Sequence, residues 1–128
     1  MDLTLRDELL FVTASLTYRG ATIELPDVLL DTGAVSTVIN ADLAGDVGVF
    51  LDRGDRLRML RGVGGREYVF VRRIERLAVG SHGIDDFEVE VGELDYGFEL
   101  GGILGLDFLR ASGAVIDLGA LTLELRKS

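Results

Sequence analysis

One carboxylate stands where a sharp turn separates two apolar runs, in Val28-Leu29-Leu30-Asp31-Thr32-Gly33-Ala34-Val35-Ser36-Thr37-Val38-Ile39. Bulky residues lead into Asp31 and β-branched residues resume after Ala34, a pattern that predicts strand, turn, strand. An acid flanked by core-type residues is a candidate for general acid–base chemistry, because partial burial and nearby donors decide its proton state. Thr32 adds a hydroxyl beside it. Gly33, lacking a Cβ, lets the backbone turn sharply and another chain approach closely. Residue types alone leave two readings open: a catalytic acid, or an Asp that only accepts backbone N–H groups of its own turn.

The other chemistry-bearing stretches divide in the same way. Val115-Ile116-Asp117-Leu118-Gly119 repeats the apolar-Asp-X-Gly outline and offers a second carboxylate within one chain, but Leu118 replaces the hydroxyl and a terminal hairpin accounts for the segment. Arg61-Gly62-Val63-Gly64-Gly65-Arg66 resembles a nucleotide loop only superficially. A dinucleotide fingerprint needs glycine where Glu67 stands and a helix afterwards, whereas Tyr68-Val69-Phe70-Val71 reads as a strand. A glycine-tipped hairpin, either a lid over a bound peptide or a plain loose hairpin, fits these residues. His82 is the single histidine and there is no cysteine, so neither a zinc site nor any other metal or cofactor is expected. Arg53-Gly54-Asp55 reads as an exposed charged turn, and Asp46, Asp52 and Asp55 lack calcium-loop spacing. No serine triad can be assembled.

The elements that must carry these residues are β throughout. Leu9 to Tyr18 predicts a strand, Arg19-Gly20 its hairpin turn and Ala21 to Leu25 the return, with Pro26-Asp27 breaking the run. Asn40 to Gly45 predicts one helical turn capped by Asn40. Leu57 to Leu60 and Glu67 to Ile74 read as strands around the glycine cluster. Arg76 to Val79, a turn over residues 80–83 and Asp86 to Val91 read as a further hairpin. A loop follows over Glu93 to Glu99. Leu106 to Ser112 is the best helix candidate, stopped by Gly113, and Ala114 to Leu118 with Leu121 to Leu125 make a final hairpin. Short strands this closely spaced predict an all-β, closed β-barrel with one short C-terminal helix.

The chain has 128 residues, 48% of them hydrophobic, enough for one domain over 1–128 with a real core and no disulfide. Its net charge of −9 argues against a nucleic-acid partner, since phosphate contacts need clustered Lys and Arg. No apolar run approaches membrane-spanning length and the first residues lack a signal-peptide pattern, so the expected setting is cytoplasmic, away from membranes.

Taken together, Leu29-Leu30-Asp31-Thr32-Gly33-Ala34 with Thr37-Val38-Ile39, Gly62-Val63-Gly64-Gly65, and Ile103-Leu104-Gly105-Leu106-Asp107-Phe108-Leu109 resemble, in order and spacing, the three signatures of retropepsin-like aspartic proteases. The likeness runs from about Leu10 to Leu125 and is strongest to single-domain cellular and bacterial members. It implies an acid-protease fold and an aspartic endopeptidase with Asp31, Thr32 and Gly33 at the catalytic turn. Leu29, Ala34, Val38 and Ile103 would line a peptide cleft beneath a flap formed by Val63, Gly64 and Gly65. Catalysis in this family needs two carboxylates, and only one Asp-Thr-Gly is present, so the resemblance implies a homodimer acting on peptides or proteins. Thr32 would then bond across the pair. The alternative is a catalytically silent module that keeps the fold for peptide binding or dimerisation. Viral members place Asp at Val35 and Arg at Leu106; here both are apolar, which predicts a hydrophobic contact in place of a buried ion pair.

Overall fold

In a computed structural model of the protein, residues 1–62, 65–94 and 98–127 are described. The β pattern read from the sequence is borne out. Among the described residues ten strands are formed: β1 (Thr4–Arg6), β2 (Leu9–Tyr18), β3 (Ala21–Leu30), β4 (Val38–Asn40), β5 (Leu57–Gly62), β6 (Gly65–Val79), β7 (His82–Gly92), β8 (Gly102–Leu104), β9 (Ala114–Asp117) and β10 (Thr122–Leu125). Two short helices accompany them, α1 (Ala41–Gly45) and α2 (Leu106–Ala111). The expectation of a single C-terminal helix is thus corrected. The Asn40 turn is a helix in its own right, its Asn40 Oδ1 accepting from the N–H groups of Asp42 and Leu43 at 2.9 and 3.3 Å.

The β2–β3 hairpin turns at Arg19 and Gly20, both left-handed with φ of 49° and 83°, as a two-residue turn matched to strand twist requires. Pro26-Asp27 does not end β3. Val12 faces Val28 while Ala14 faces Leu25, so one residue of β2 opposes two of β3: a bulge, with Asp27 at φ 51°. A bulge is where a strand tolerates a proline, because the missing N–H interrupts no regular ladder. Likewise, Arg76–Val79 is not a separate strand. It continues β6, and the turn to β7 tightens to Gly80-Ser81.

Eight strands form one sheet in the order β1-β2-β3-β8-β4-β7-β6-β5, and β9 and β10 pair separately. An extra antiparallel pairing of β2 with β6 brings the sheet back on itself. Six strands thereby form a ring, with β1 and β5 outside it as edges; the closed barrel expected from the sequence goes further than these pairings.

Strand alternation then sorts the interior into two clusters. Val28, Ile39 and Leu104 join the larger one, with Leu16, Leu77 and Phe108. Their chain neighbours Leu29, Val38 and Ile103 join the smaller one, with Phe11, Val69 and Leu100. Among the described residues no helix is long and apolar enough to cross a membrane.

Candidate active site

Asp31 follows directly on β3. Its N–H donates to Leu104 O at 3.0 Å, extending the parallel β3–β8 ladder by one bond before the chain turns. The half-buried carboxylate is held by its own loop: Gly33 N–H donates to Asp31 Oδ1 at 2.9 Å, and Ala34 N–H donates to the Asp31 carbonyl at 3.2 Å. A Cβ on Gly33 would lie 3.2 Å from that same Oδ1. Glycine leaves the carboxylate undisplaced here; its φ lies outside the left-handed region, so closeness to the acid and not backbone conformation is what it provides. Asp31 Oδ2 makes no hydrogen bond among the described residues. Thr32 and Gly33 are exposed.

A second segment clamps the loop from behind. The Ala34 carbonyl accepts from Leu106 N–H at 2.7 Å and the Val35 carbonyl from Asp107 N–H at 3.2 Å, so α2 begins on the loop. Gly105 sits so tightly that a Cβ would come within 2.5 Å of the Ser36 carbonyl. Two residues that stand in the quoted signatures, but to which the sequence assigned no role, complete the clamp. Thr37, fully buried, donates through Oγ1 to Asp107 Oδ1 at 2.7 Å and accepts from Gly105 N–H at 3.1 Å. Asp107 Oδ2 accepts from Thr37 N–H at 3.2 Å, while its Oδ1 also caps Phe108 N–H at 2.7 Å. Besides their places in the two signatures, the local signal for this pair was an acid in the first turn of α2 and a hydroxyl residue at the end of the loop. Each is a common feature, and 70 positions separate them.

The expected cleft residues come together. Leu29 and Val38 both register with Ile103, so the three form one cross-strand row, and Ala34 packs against their cluster. Gly65 opens β6, paired with Gly62. Val63 and Gly64 lie outside the described residues. The expected Val35–Leu106 contact needs correction: Val35 is 80% exposed and Leu106 40% exposed, so neither replaces an ion pair inside the chain. Nor does Asp117 join Asp31. It is exposed at the β9–β10 turn, its Oδ1 occupied by Ala120 N–H at 2.9 Å.

At the base of the β5–β6 hairpin, Arg72 gathers the preceding loop. It donates to Asp55 Oδ1 and Oδ2 at 3.3 and 2.6 Å, to Phe50 O at 2.9 Å and to Tyr18 Oη at 3.2 Å. Asp55 is therefore not part of an exposed turn, as read from the sequence; only Arg53 and Gly54 are. The Arg72 hydrogen bond, helped by the Asp52 N–H and the guanidinium charge, holds the Asp55 carboxyl below the usual range against the opposing effect of burial. Arg72 is raised in turn, chiefly by its bond to Asp55.

Comparison with known proteins adds two matches. Residues 14–108 match the family described as aspartyl protease. A retropepsin-like aspartic protease from Rickettsia conorii has a similar fold, with a TM-score of 0.65 at 20% sequence identity over 93% of this chain and 92% of that one. No curated protein matches the chain.

Proposed function

Because this chain belongs to the aspartyl protease family and has a retropepsin-like fold, we propose that it is an aspartic endopeptidase active as a homodimer. The observation that carries this reading is the Asp31 turn: one oxygen tied to Gly33 N–H, the other free of hydrogen bonds among the described residues, on a loop pinned by α2. One such acid cannot both take and give a proton at once. Paired across a two-fold axis with its copy, it can. The ionised member takes a proton from water as the water oxygen bonds to the scissile carbonyl carbon, and the protonated member donates to the carbonyl oxygen. As the C–N bond of the tetrahedral diol breaks, the pair gives the proton it took from water to the leaving nitrogen and takes one from a diol hydroxyl, which becomes the new acid's carbonyl, so the pair again shares one proton.

Exposed Val35 and Leu106 support a second copy packing here, since both flank the Asp31 loop and offer apolar surface to a partner. Leu29, Ala34, Val38 and Ile103 would line the cleft, with Val63, Gly64 and Gly65 above it and Thr32 bonding across the pair. An extended peptide would gain affinity from main-chain pairing and preference from alternate side-chain pockets. Sedimentation combined with a peptide-cleavage assay tests the reading. It predicts pepstatin-sensitive cleavage that tracks the dimer fraction; peptide binding with no such cleavage from acidic to neutral pH would favour a silent module.

A further inference from the structure

Glu90 has no role in the mechanism above, yet among the described residues it is the one buried side chain whose polar atoms accept no hydrogen bond. It lies near the C-terminal end of β7, its side chain 5% exposed, and neither carboxylate oxygen accepts a hydrogen bond from any described residue. Burying a carboxylate without donors is costly, and a native fold that tolerates it usually has a use for it. Among the described residues, the cation within 4 Å of it is Arg58 on β5, at 3.6 Å and half exposed. The neighbouring pair provides the contrast. Arg56, just before β5, and Glu88, two residues earlier on β7, close to 2.9 Å with both side chains well exposed, an ordinary surface ion pair. The inner pair is looser, although its acid is buried.

Register shows what Glu90 faces. Residues opposite one another on adjacent strands share a face of the sheet. Leu29 pairs with Ile103, Ile103 with Val38, Val38 with Glu90, and Glu90 with Val71. The row that supplies three of the proposed cleft residues therefore continues directly into this carboxylate. Arg58, from the strand that leads to the flap, reaches it from the other side.

We propose that Glu90 is a specificity-determining residue that selects a basic side chain, Lys or Arg, in the peptide bound along this row. The inference rests on the proposed peptide cleft but not on catalysis. An extended peptide turns every second side chain toward the same wall, so one of them passes Val38 and arrives at Glu90. A cationic group there supplies the donors the carboxylate lacks, and Arg58, long and solvated, swings aside. Where a buried polar group goes unpaired with the wrong ligand, discrimination is strong.

The test uses octapeptides of apolar residues in which one Lys is walked through every position, matched to a set carrying norleucine instead. Binding is measured on the Asp31→Asn protein and kcat/KM on the wild type. At one position Lys should be favoured over norleucine by about tenfold, consistent with one charge-assisted contact. Glu90→Gln should bring that ratio close to one, and Arg58→Met, removing the competing cation, should raise it. Thermal unfolding checks that Glu90→Gln folds; if it does not, Arg58→Met decides, and an unchanged ratio overturns the proposal. Equal ratios in wild type and Glu90→Gln at every position also overturn it. Lys-selective binding without any wild-type cleavage would uphold Glu90 while refuting the protease reading, and cleavage indifferent to Lys would do the reverse.

Discussion

The chain builds the same small device twice. At Asp31 and again at Asp117, an acid at the end of a strand accepts a backbone N–H of its own turn at 2.9 Å. A glycine two residues on lies over the same Oδ1, where a Cβ would come to 3.2 Å from Asp31 and 3.4 Å from Asp117. Locally the two turns are near equivalents. Their surroundings are not: the Asp117 turn is exposed at the end of the two-stranded β9–β10 sheet, which bonds to the first residues of the chain through Leu3 N–H to Leu121 O and Leu123 N–H to Met1 O, whereas the Asp31 loop is bonded to β8 at one end and to α2 at the other. The difference teaches that the motif supplies the acid and the clamp makes it usable. Catalytic geometry tolerates only small displacements, and an exposed hairpin turn with no second segment bonded across it does not meet that demand.

The largest expected effect separates the two acids outright. Asp31→Asn should lower kcat/KM for peptide cleavage by about 10³-fold or more, the scale of losing an acid–base group, while Asp117→Asn should stay within about twofold. Similar losses in both, measured by steady-state kinetics, would erase the distinction. Next comes the clamp. Gly105→Ala forces a methyl against the Ser36 backbone and should cost about 3 kcal/mol in urea unfolding, whereas Gly119→Ala should cost about 0.5 kcal/mol or less.

The smallest effect sharpens the contrast between acids that pin loops and acids left free. Asp55 titrates below its unfolded value, so its bond to Arg72 contributes stability that is complete at neutral pH and is lost as pH falls below about 4. The gap in unfolding free energy between wild type and Asp55→Asn should accordingly shrink on acidification. A gap that widens would mean the sign is wrong.

What the sequence could and could not show follows the same division. The Asp31 turn, the Arg19-Gly20 hairpin and the Asn40 cap were readable because each is settled by residues within a few positions. Pro26-Asp27 was misread because a proline forbids a regular ladder but not a bulge, and only the partner strand reveals which one forms. The length of β6 was missed for a related reason: its first residues pair with β5, Arg76 to Ala78 with β2, and Phe70 to Val79 with β7, pairings that no local propensity records. Thr37 and Asp107, the polar centre of the clamp, meet across 70 positions. Leu29, Val38 and Ile103 were identified as neighbours only through family resemblance, and register shows why they are neighbours: three strands, one row.

The central claim is that Asp31 works only beside its copy. The direct measurement is cleavage by a fixed amount of wild-type protein as Asp31→Asn protein is titrated in under conditions that allow subunits to exchange. Mixed dimers carry one carboxylate, so activity should fall toward zero as the variant reaches excess. Activity that stays constant throughout the titration would show that each protomer works alone and would contradict the paired-acid account.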